Sequence, residues 1–168
     1  MPKASYNCKT KSNSTAAGTY SQIYIQIVFA VKFRESLISQ EWEERLYMYI
    51  SGIIREKQQK LIAINGMPNH IHILVGMKPS CCLSDLVREI KKASNDFVNG
   101  NKLSKSNFSW QEGYGAFSYS HSQLDSVITY IKNQKEHHKA KSFREEYIEF
   151  LNKFNVEYKD QFLFNWNE

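Results

Sequence analysis

The order of its apolar patterns constrains the fold of this chain more than any other feature of the sequence. Apolar residues occupy alternate positions over residues 22–31, which predicts a strand with one buried side. A stripe at spacings of three and four then predicts a helix over residues 39–59. Alternation returns over residues 69–77, and a second helical stripe covers residues 84–99. These patterns alone predict two strands, each followed by an amphipathic helix.

Shorter patterns supply the rest of the sheet. An apolar run over residues 61–64 is followed by Asn65 and Gly66, a pair that predicts a tight turn with positive φ into the next strand. Two aromatic segments, residues 108–111 and 116–119, are predicted as strand material. The hairpin and the last strand complete a four-stranded arrangement.

Two more helices are predicted near the C-terminus, over residues 122–139 and 143–154, and each opens on a capping-box-like signature. The full order of strand, helix, strand, strand, helix and strand is that of a split βαβ unit. We therefore predict an α+β protein with a ferredoxin-like antiparallel sheet, helices on one face of it, and additional C-terminal helices.

Length and composition are consistent with a single folded domain. The chain has 168 residues, of which 42% are hydrophobic and 14% aromatic, so wholesale disorder is excluded. Residues 1–18 are polar and show no apolar period, and we expect a flexible tail there. The domain is expected over residues 19–158, and residues 159–168 form an aromatic C-terminal tail.

Charge and hydropathy restrict the partners. The net charge of +5 permits a nucleic-acid partner without requiring one. No apolar run approaches the roughly 20 residues of a membrane-spanning helix, and the N-terminus lacks the apolar centre of a signal peptide. We expect a cytoplasmic protein without a membrane partner.

A pair of histidines is the first candidate for chemistry. His70 and His72 lie two residues apart on a predicted strand, so their imidazoles project from one face about 7 Å apart along the backbone. Imidazole is a good ligand for divalent metal ions, and two such rings can converge on one ion. A polar strand face without any metal is the other interpretation. A metal site that contains this pair needs a third ligand.

The predicted helix over residues 122–139 contains a candidate for that ligand and for a nucleophile. Tyr130 and Gln134 lie four residues apart, about 6 Å along one helix face. The amide oxygen of Gln134 can complete a divalent metal site, and the phenol of Tyr130 can attack a phosphorus atom. A tyrosine with a pKa of about 10 needs a nearby cation to act at neutral pH. The alternative is an amphipathic helix residue with a solvated neighbour.

Basic residues on the second predicted helix form a weaker candidate for a DNA-binding site. Arg88, Lys91 and Lys92 could neutralise phosphates. An ordinary solvated helix face explains the same three residues equally well.

Several motifs together resemble one enzyme family. They are PNHIHILV at residues 68–75, WQEGYGAF at 110–117, VITYIKNQ at 127–134 and EHH at 136–138. In order and spacing they are similar to the single-tyrosine HUH transposases of the smallest bacterial insertion sequences, including the REP-associated tyrosine transposases. The resemblance covers residues 19–158, which is nearly the whole predicted domain.

The resemblance implies a DNA transposase that acts on single-stranded element ends with hairpins. It implies that His70, His72 and Gln134 bind a divalent ion, Mg²⁺ or Mn²⁺, and that Tyr130 is the nucleophile. Tyr130 would form a 5′-phosphotyrosine link and release a 3′-hydroxyl that later attacks the second junction. The covalent link conserves the phosphodiester energy, so neither ATP nor another nucleotide cofactor is needed. The family also implies a homodimer, with the active site assembled within one chain or between two.

A non-catalytic role is the main alternative. The same sheet topology occurs in RNA-binding domains, and a domesticated relative could bind hairpin or single-stranded nucleic acid without cleaving it. RNA-recognition domains carry an aromatic motif on a central strand, whereas this chain carries two histidines there. The histidines favour the enzyme.

Overall fold

The computed structural model describes residues 19–33, 37–137 and 139–166. In chain order its elements are β1 Tyr24–Ala30, α1 Glu43–Glu56, β2 Lys60–Met67, β3 His70–Gly76, α2 Leu83–Gly100, β4 Gly115–Tyr119, α3 Leu124–Lys132, α4 Gln134–His137 and α5 Phe143–Lys153. The predicted N-terminal tail and His138, the last residue of the EHH motif, lie outside the described residues. None of the described helices is both long and apolar enough to cross a membrane.

The four strands form one sheet in the order β2-β3-β1-β4, and every neighbouring pair is antiparallel. This is the strand order of a ferredoxin-like fold, with α1 between β1 and β2 and α2 between β3 and β4. The predicted α+β class and topology are confirmed.

The pairing register divides the sheet into two faces, because residues directly opposite each other in an antiparallel pair point to the same side. Ile27 pairs with Ile73, and Val28 pairs with His72. We call one side the core face; on β1 and β3 it contains Ile25, Ile27, Phe29, Ile71, Ile73 and Val75. We call the other the histidine face; on the same strands it contains Gln26, Val28, Ala30, His70, His72 and Leu74.

The core face is covered by α1 and α2. Both helices bury the stripes that the sequence predicts; the fully buried members are Leu46, Ile50, Ile54 and Ile90. Tyr49 of α1 stacks on Phe97 of α2 with ring centroids 4.2 Å apart, which joins the two helices. On the sheet side, the rings of Phe29 and Trp110 meet edge to face at 4.7 Å.

The histidine face is covered by the C-terminal helices, and here one prediction is wrong. The first strand was expected to have one buried side, but Gln26, Val28 and Ala30 on its second side are at most 1% exposed. The reason is that α5 packs over them: Phe143 stacks on His70 at 3.8 Å, and Phe150 lies 6.0 Å from His72 between ring centroids. Both faces of the sheet are therefore buried.

The predicted turn at Asn65 and Gly66 is also wrong. Strand β2 continues through both residues to Met67, and the turn follows at residues 68–69. Gly66 is required for a different reason than positive φ: a Cβ there would collide with the backbone oxygen of His70 and lie 2.9 Å from the Cα of Ile71. Close approach of the two strands, rather than a turn conformation, explains the glycine.

Two further predictions need correction. The segment 108–111 is not a strand; it forms one isolated bridge, between Val31 and Trp110. The helix predicted to run to residue 139 is interrupted at Asn133. Helix α3 ends at Lys132, whose carbonyl accepts a hydrogen bond from the side chain of Asn65 (2.9 Å), and α4 continues to His137. The 143–154 helix agrees with α5 to within one residue.

Candidate active site

His70 and His72 lie side by side on the histidine face, as the strand alternation predicts. Both side chains are completely buried, and their ring centroids are 5.1 Å apart. The Nδ1–H of His70 donates to Asn69 Oδ1 (2.7 Å), and Nδ1 of His72 lies 2.8 Å from the buried side-chain amide of Gln26. These bonds to Nδ1 direct the Nε2 atom of each ring to a common point.

Glu146 of α5 occupies that point. Its Oε2 lies 3.3 Å from Nε2 of His70 and 3.4 Å from Nε2 of His72. The three ligand atoms lie within 4.8 Å of one another, and the Glu146 side chain is only 5% exposed. A buried cluster of two imidazoles and a carboxylate is compatible with a divalent metal ion.

The ionisation of Glu146 follows from this environment. Burial alone would raise the pKa of its carboxyl, but the charge of His72 and the close contact with both imidazoles outweigh burial and lower it to about 2. The carboxylate is therefore negative at neutral pH. A buried negative charge needs a positive partner, which is either an imidazolium or a metal ion.

Tyr130 and Gln134 also converge on Glu146. The hydroxyl of Tyr130 donates to Oε1 of Glu146, and the amide nitrogen of Gln134 donates to the same oxygen at 3.0 Å. Although the helix is interrupted at Asn133, both side chains still reach the histidine face, and all of these groups belong to one chain. The structure thus brings together the four site residues that the sequence singles out.

Gln134 has the properties expected of a metal ligand. It is completely buried, and its Oε1 has no hydrogen-bond partner among the described residues. A buried carbonyl oxygen without a partner is energetically costly, and a cation would remove that cost. Two imidazole nitrogens, an amide oxygen and a carboxylate form a mixed donor set that fits a divalent ion.

Glu146 is the site residue that sequence reasoning missed. A glutamate on a helix usually faces solvent. Glu146 instead lies among apolar residues that recur at helical spacing. The buried side of α5 consists of Phe143, Glu146, Tyr147, Phe150 and Leu151. A carboxylate within an apolar stripe was the available signal, because burying a charge is unfavourable unless it is paired.

The predicted basic patch does not join this cluster. Arg88, Lys91 and Lys92 lie on α2, which covers the opposite face of the sheet. Arg88 pairs with Asp85 (2.8 Å), and Lys92 is exposed. Lys91 donates to the carbonyls of Gln111 (2.9 Å) and Gly113, and burial lowers its pKa to about 8. Lys91 thus holds the segment before β4 against α2.

Comparisons with known proteins agree with this architecture. The family model for IS200-like transposases matches residues 19–134, more than half of the chain. The ISDra2 transposase TnpA of Deinococcus radiodurans is 23% identical over 124 residues, which cover 71% of this chain and 89% of that protein. Glu146 lies beyond the matched residues 19–134.

Two solved structures share the fold. A protein described as a transposase from Deinococcus radiodurans R1 superimposes with a TM-score of 0.56 at 23% identity, covering 73% of this chain and 98% of that one. A REP-associated tyrosine transposase, solved with a REP hairpin, gives a TM-score of 0.55 at 19% identity, covering 75% of this chain and 74% of that one.

Proposed function

Because this chain belongs to the IS200-like transposase family, we propose that it cleaves and rejoins single-stranded DNA at insertion-sequence ends through a covalent 5′-phosphotyrosine intermediate. The observation that carries the proposal is the convergence of Tyr130, Gln134 and the two histidines on one buried carboxylate, Glu146. A phenol beside candidate metal ligands is an arrangement suited to nucleophilic attack on phosphorus.

His70, His72 and Gln134 would hold a divalent ion, Mg²⁺ or Mn²⁺, and Glu146 is a fourth candidate ligand. The partnerless Oε1 of Gln134 supports its place in this set. When bound, such an ion withdraws negative charge from phosphate oxygens and stabilises the charge that develops during attack.

Tyr130 is the proposed nucleophile. Its phenolic oxygen forms a bond to the phosphorus, the bond from phosphorus to the 3′-oxygen breaks, and the phenol loses its proton as the 3′-oxygen gains one. Glu146 orients the phenol through a hydrogen bond. The phosphotyrosine link retains the energy of the phosphodiester, so the released 3′-hydroxyl can reverse the reaction at a second junction without ATP.

The proposed substrate is a single strand with hairpin ends. The REP-associated relative was solved with a REP hairpin, and the net charge of +5 of this chain suits a polyanionic ligand. We include a homodimer in the proposal, as the resemblance implies. Tyr130 and the histidine pair meet within one chain here, so each subunit would contain a full set of these side chains.

A covalent-adduct assay tests the proposal. A labelled single-stranded hairpin, taken from the DNA that flanks the gene, is incubated with the protein and Mg²⁺ or Mn²⁺, then denatured and analysed by electrophoresis. Wild type is expected to form a metal-dependent adduct that Tyr130→Phe abolishes. Tyr20→Phe, at a tyrosine that is 96% exposed, is the matched control and should form the adduct normally.

The opposite result has a definite meaning. If the hairpin binds but neither metal produces an adduct with wild type, the transposase chemistry is wrong. The non-catalytic nucleic-acid-binding function would then replace it.

A further inference from the structure

A cleft of about 490 Å³ opens between α3 and α5, directly beside the proposed nucleophile. Tyr130 and Glu146 form part of its lining, so the cleft adjoins the side chain of the proposed nucleophile. The volume lies within the range of clefts that hold small molecules, roughly 300–1,000 Å³. Whatever occupies this space lies next to the phosphate that Tyr130 attacks.

The walls of the cleft are aromatic and apolar. Tyr119, Val127 and Phe150 line it, and each is at most 8% exposed. The hydroxyl of Tyr119 donates to Gln26 (2.8 Å), which fixes the ring in place. Phe150 packs edge to face on the ring of Tyr130, with centroids 5.7 Å apart. Fixed aromatic surfaces of this kind are the ones on which unpaired nucleobases stack.

The rim of the cleft is cationic. Lys141 and Lys153 both line it, and Lys153 is exposed. Lys141 pairs with Glu149 at 2.5 Å, but both side chains are substantially exposed to solvent, at 39% and 63%. Exposed pairs contribute little to stability, so a DNA phosphate can compete with Glu149 for Lys141. Apolar walls below a cationic rim match a base attached to its phosphate backbone.

We propose that this cleft binds one nucleotide of the cleaved strand, the one that flanks the scissile phosphate, with its base unstacked against the aromatic wall. This inference rests on the proposed function and specifies the part of the substrate that the chain recognises beside the reaction. The cleft, the aromatic wall and the cationic rim all belong to a single chain, so the subsite does not require a second subunit.

The test couples a change in the protein to a change in the DNA. In the Tyr130→Phe background, which cannot form the adduct, the dissociation constant is measured by fluorescence anisotropy for the flanking-DNA hairpin strand. Two strands, each lacking the one base next to the cleavage site on the 5′ or on the 3′ side, are compared with the intact strand. Loss of the base at one flanking position is expected to weaken binding about tenfold, because stacking of one base on an aromatic side chain contributes about 1–3 kcal/mol.

Filling the cleft should remove that sensitivity. Ser126 is an exposed residue of α3 that lines the cleft. Ser126→Trp is expected to weaken binding of the intact strand about tenfold. This variant should then bind the abasic strands and the intact strand with the same affinity. Thr129→Trp adds the same bulk to the same helix outside the cleft and should retain the full sensitivity to base loss.

A second variant separates the rim from the wall. Lys153→Gln should weaken binding of every strand alike and reduce its salt dependence, while the loss of affinity on base removal stays about tenfold. This variant also keeps the test valid if Ser126→Trp fails to fold, which thermal unfolding of each variant reveals.

Two results would overturn the proposal. Base removal without effect at both flanking positions, or an undiminished effect in a folded Ser126→Trp, would show that no base occupies the cleft. If wild type forms the covalent adduct in either case, the proposed function stands and only the nucleotide subsite is wrong. Absence of both adduct and hairpin binding would refute the proposed function and this inference together.

Discussion

The two faces of the sheet are buried to the same extent but differ completely in chemistry. The core face is apolar on β1 and β3, and it packs against the apolar stripes of α1 and α2. The histidine face is equally inaccessible, yet it contains most of the buried polar side chains. The members at its centre are Gln26, His70, His72, Gln134 and Glu146.

The difference between the faces shows that the polar groups of the site are buried at a cost in stability. Burying amides, imidazoles and a carboxylate is favourable only if hydrogen bonds or a cation compensate the lost hydration. On the histidine face most of these groups bond to one another, but Oε1 of Gln134 has no partner in the described part of the chain. The core face can therefore be understood from apolar area alone, whereas the histidine face depends on its hydrogen bonds and ion pairs.

The largest expected effect tests the core face. Leu46→Ala removes a side chain of α1 that is fully buried, and we expect the free energy of unfolding to fall by about 2–5 kcal/mol. Urea denaturation measures this change, and Mn²⁺ affinity of the folded variant should equal that of wild type. Met48→Ala, on the same helix but 68% exposed, should stay within about 0.5 kcal/mol. A loss of Mn²⁺ affinity in folded Leu46→Ala would show that the core face and the histidine face are not independent.

An intermediate effect tests the histidine face. Gln26 contacts Nδ1 of His72 and accepts from Tyr119 (2.8 Å each). A metal-binding imidazole needs a proton on Nδ1 and an acceptor for it, which the amide oxygen of Gln26 supplies when the amide is turned. Gln26→Leu is therefore expected to weaken Mn²⁺ binding 10- to 100-fold by isothermal titration calorimetry.

The matched control for Gln26 is another buried glutamine that lies away from the cluster. Gln111 donates to the carbonyls of Val31 (2.9 Å) and Asn165 (2.6 Å). Gln111→Leu should lower the free energy of unfolding without changing Mn²⁺ affinity. Equal Mn²⁺ affinities for wild type and Gln26→Leu would show that Gln26 does not position His72.

The last prediction concerns a charge on the core side, on a side chain that is only partly buried and therefore partly screened by solvent. Because burial lowers the pKa of Lys91 from 10.5 to about 8, the folded protein releases this proton at a lower pH than the unfolded chain does. Between about pH 8 and 10.5 the unfolded state therefore binds more protons, and wild type should gain stability relative to Lys91→Met as the pH rises.

Urea denaturation at pH 7.5 and pH 10 measures this shift, with Lys92→Met at an exposed position of the same helix as the control. A stability difference that does not change with pH would mean that the carbonyls of Gln111 and Gly113 compensate fully for the burial of the ammonium.

The same division explains what the sequence could predict. Helices α1 and α2 follow from the apolar stripes that one-sided burial imposes, so Leu46 and Ile50 were identifiable as core residues. Alternation shows which residues share a face, but not whether a distant helix covers that face. Gln26 therefore had the pattern of an exposed residue, although α5, more than a hundred residues later, buries it completely.

The candidate site was predictable where spacing or family motifs marked it. His70, His72, Tyr130 and Gln134 lie within recognisable motifs, whereas Glu146 lies after the matched residues 19–134 and depends on how α5 folds back. At Gly66 a local turn preference was outweighed by pairing between β2 and β3. These errors arise where long-range packing overrides short-range sequence preference.

The hydrogen bond from Asn65 to the carbonyl of Lys132 makes the length of α3 a fixed quantity. Asn65 pairs directly with His72 across the sheet, so this bond ties the end of the Tyr130 helix to the histidine strand. One residue inserted into α3 would turn Tyr130 by about 100° and move it about 1.5 Å along the axis, even if the bond re-formed. Related chains should therefore vary α3 by substitution, while insertions and deletions occur elsewhere, for example in the exposed loop 105–107.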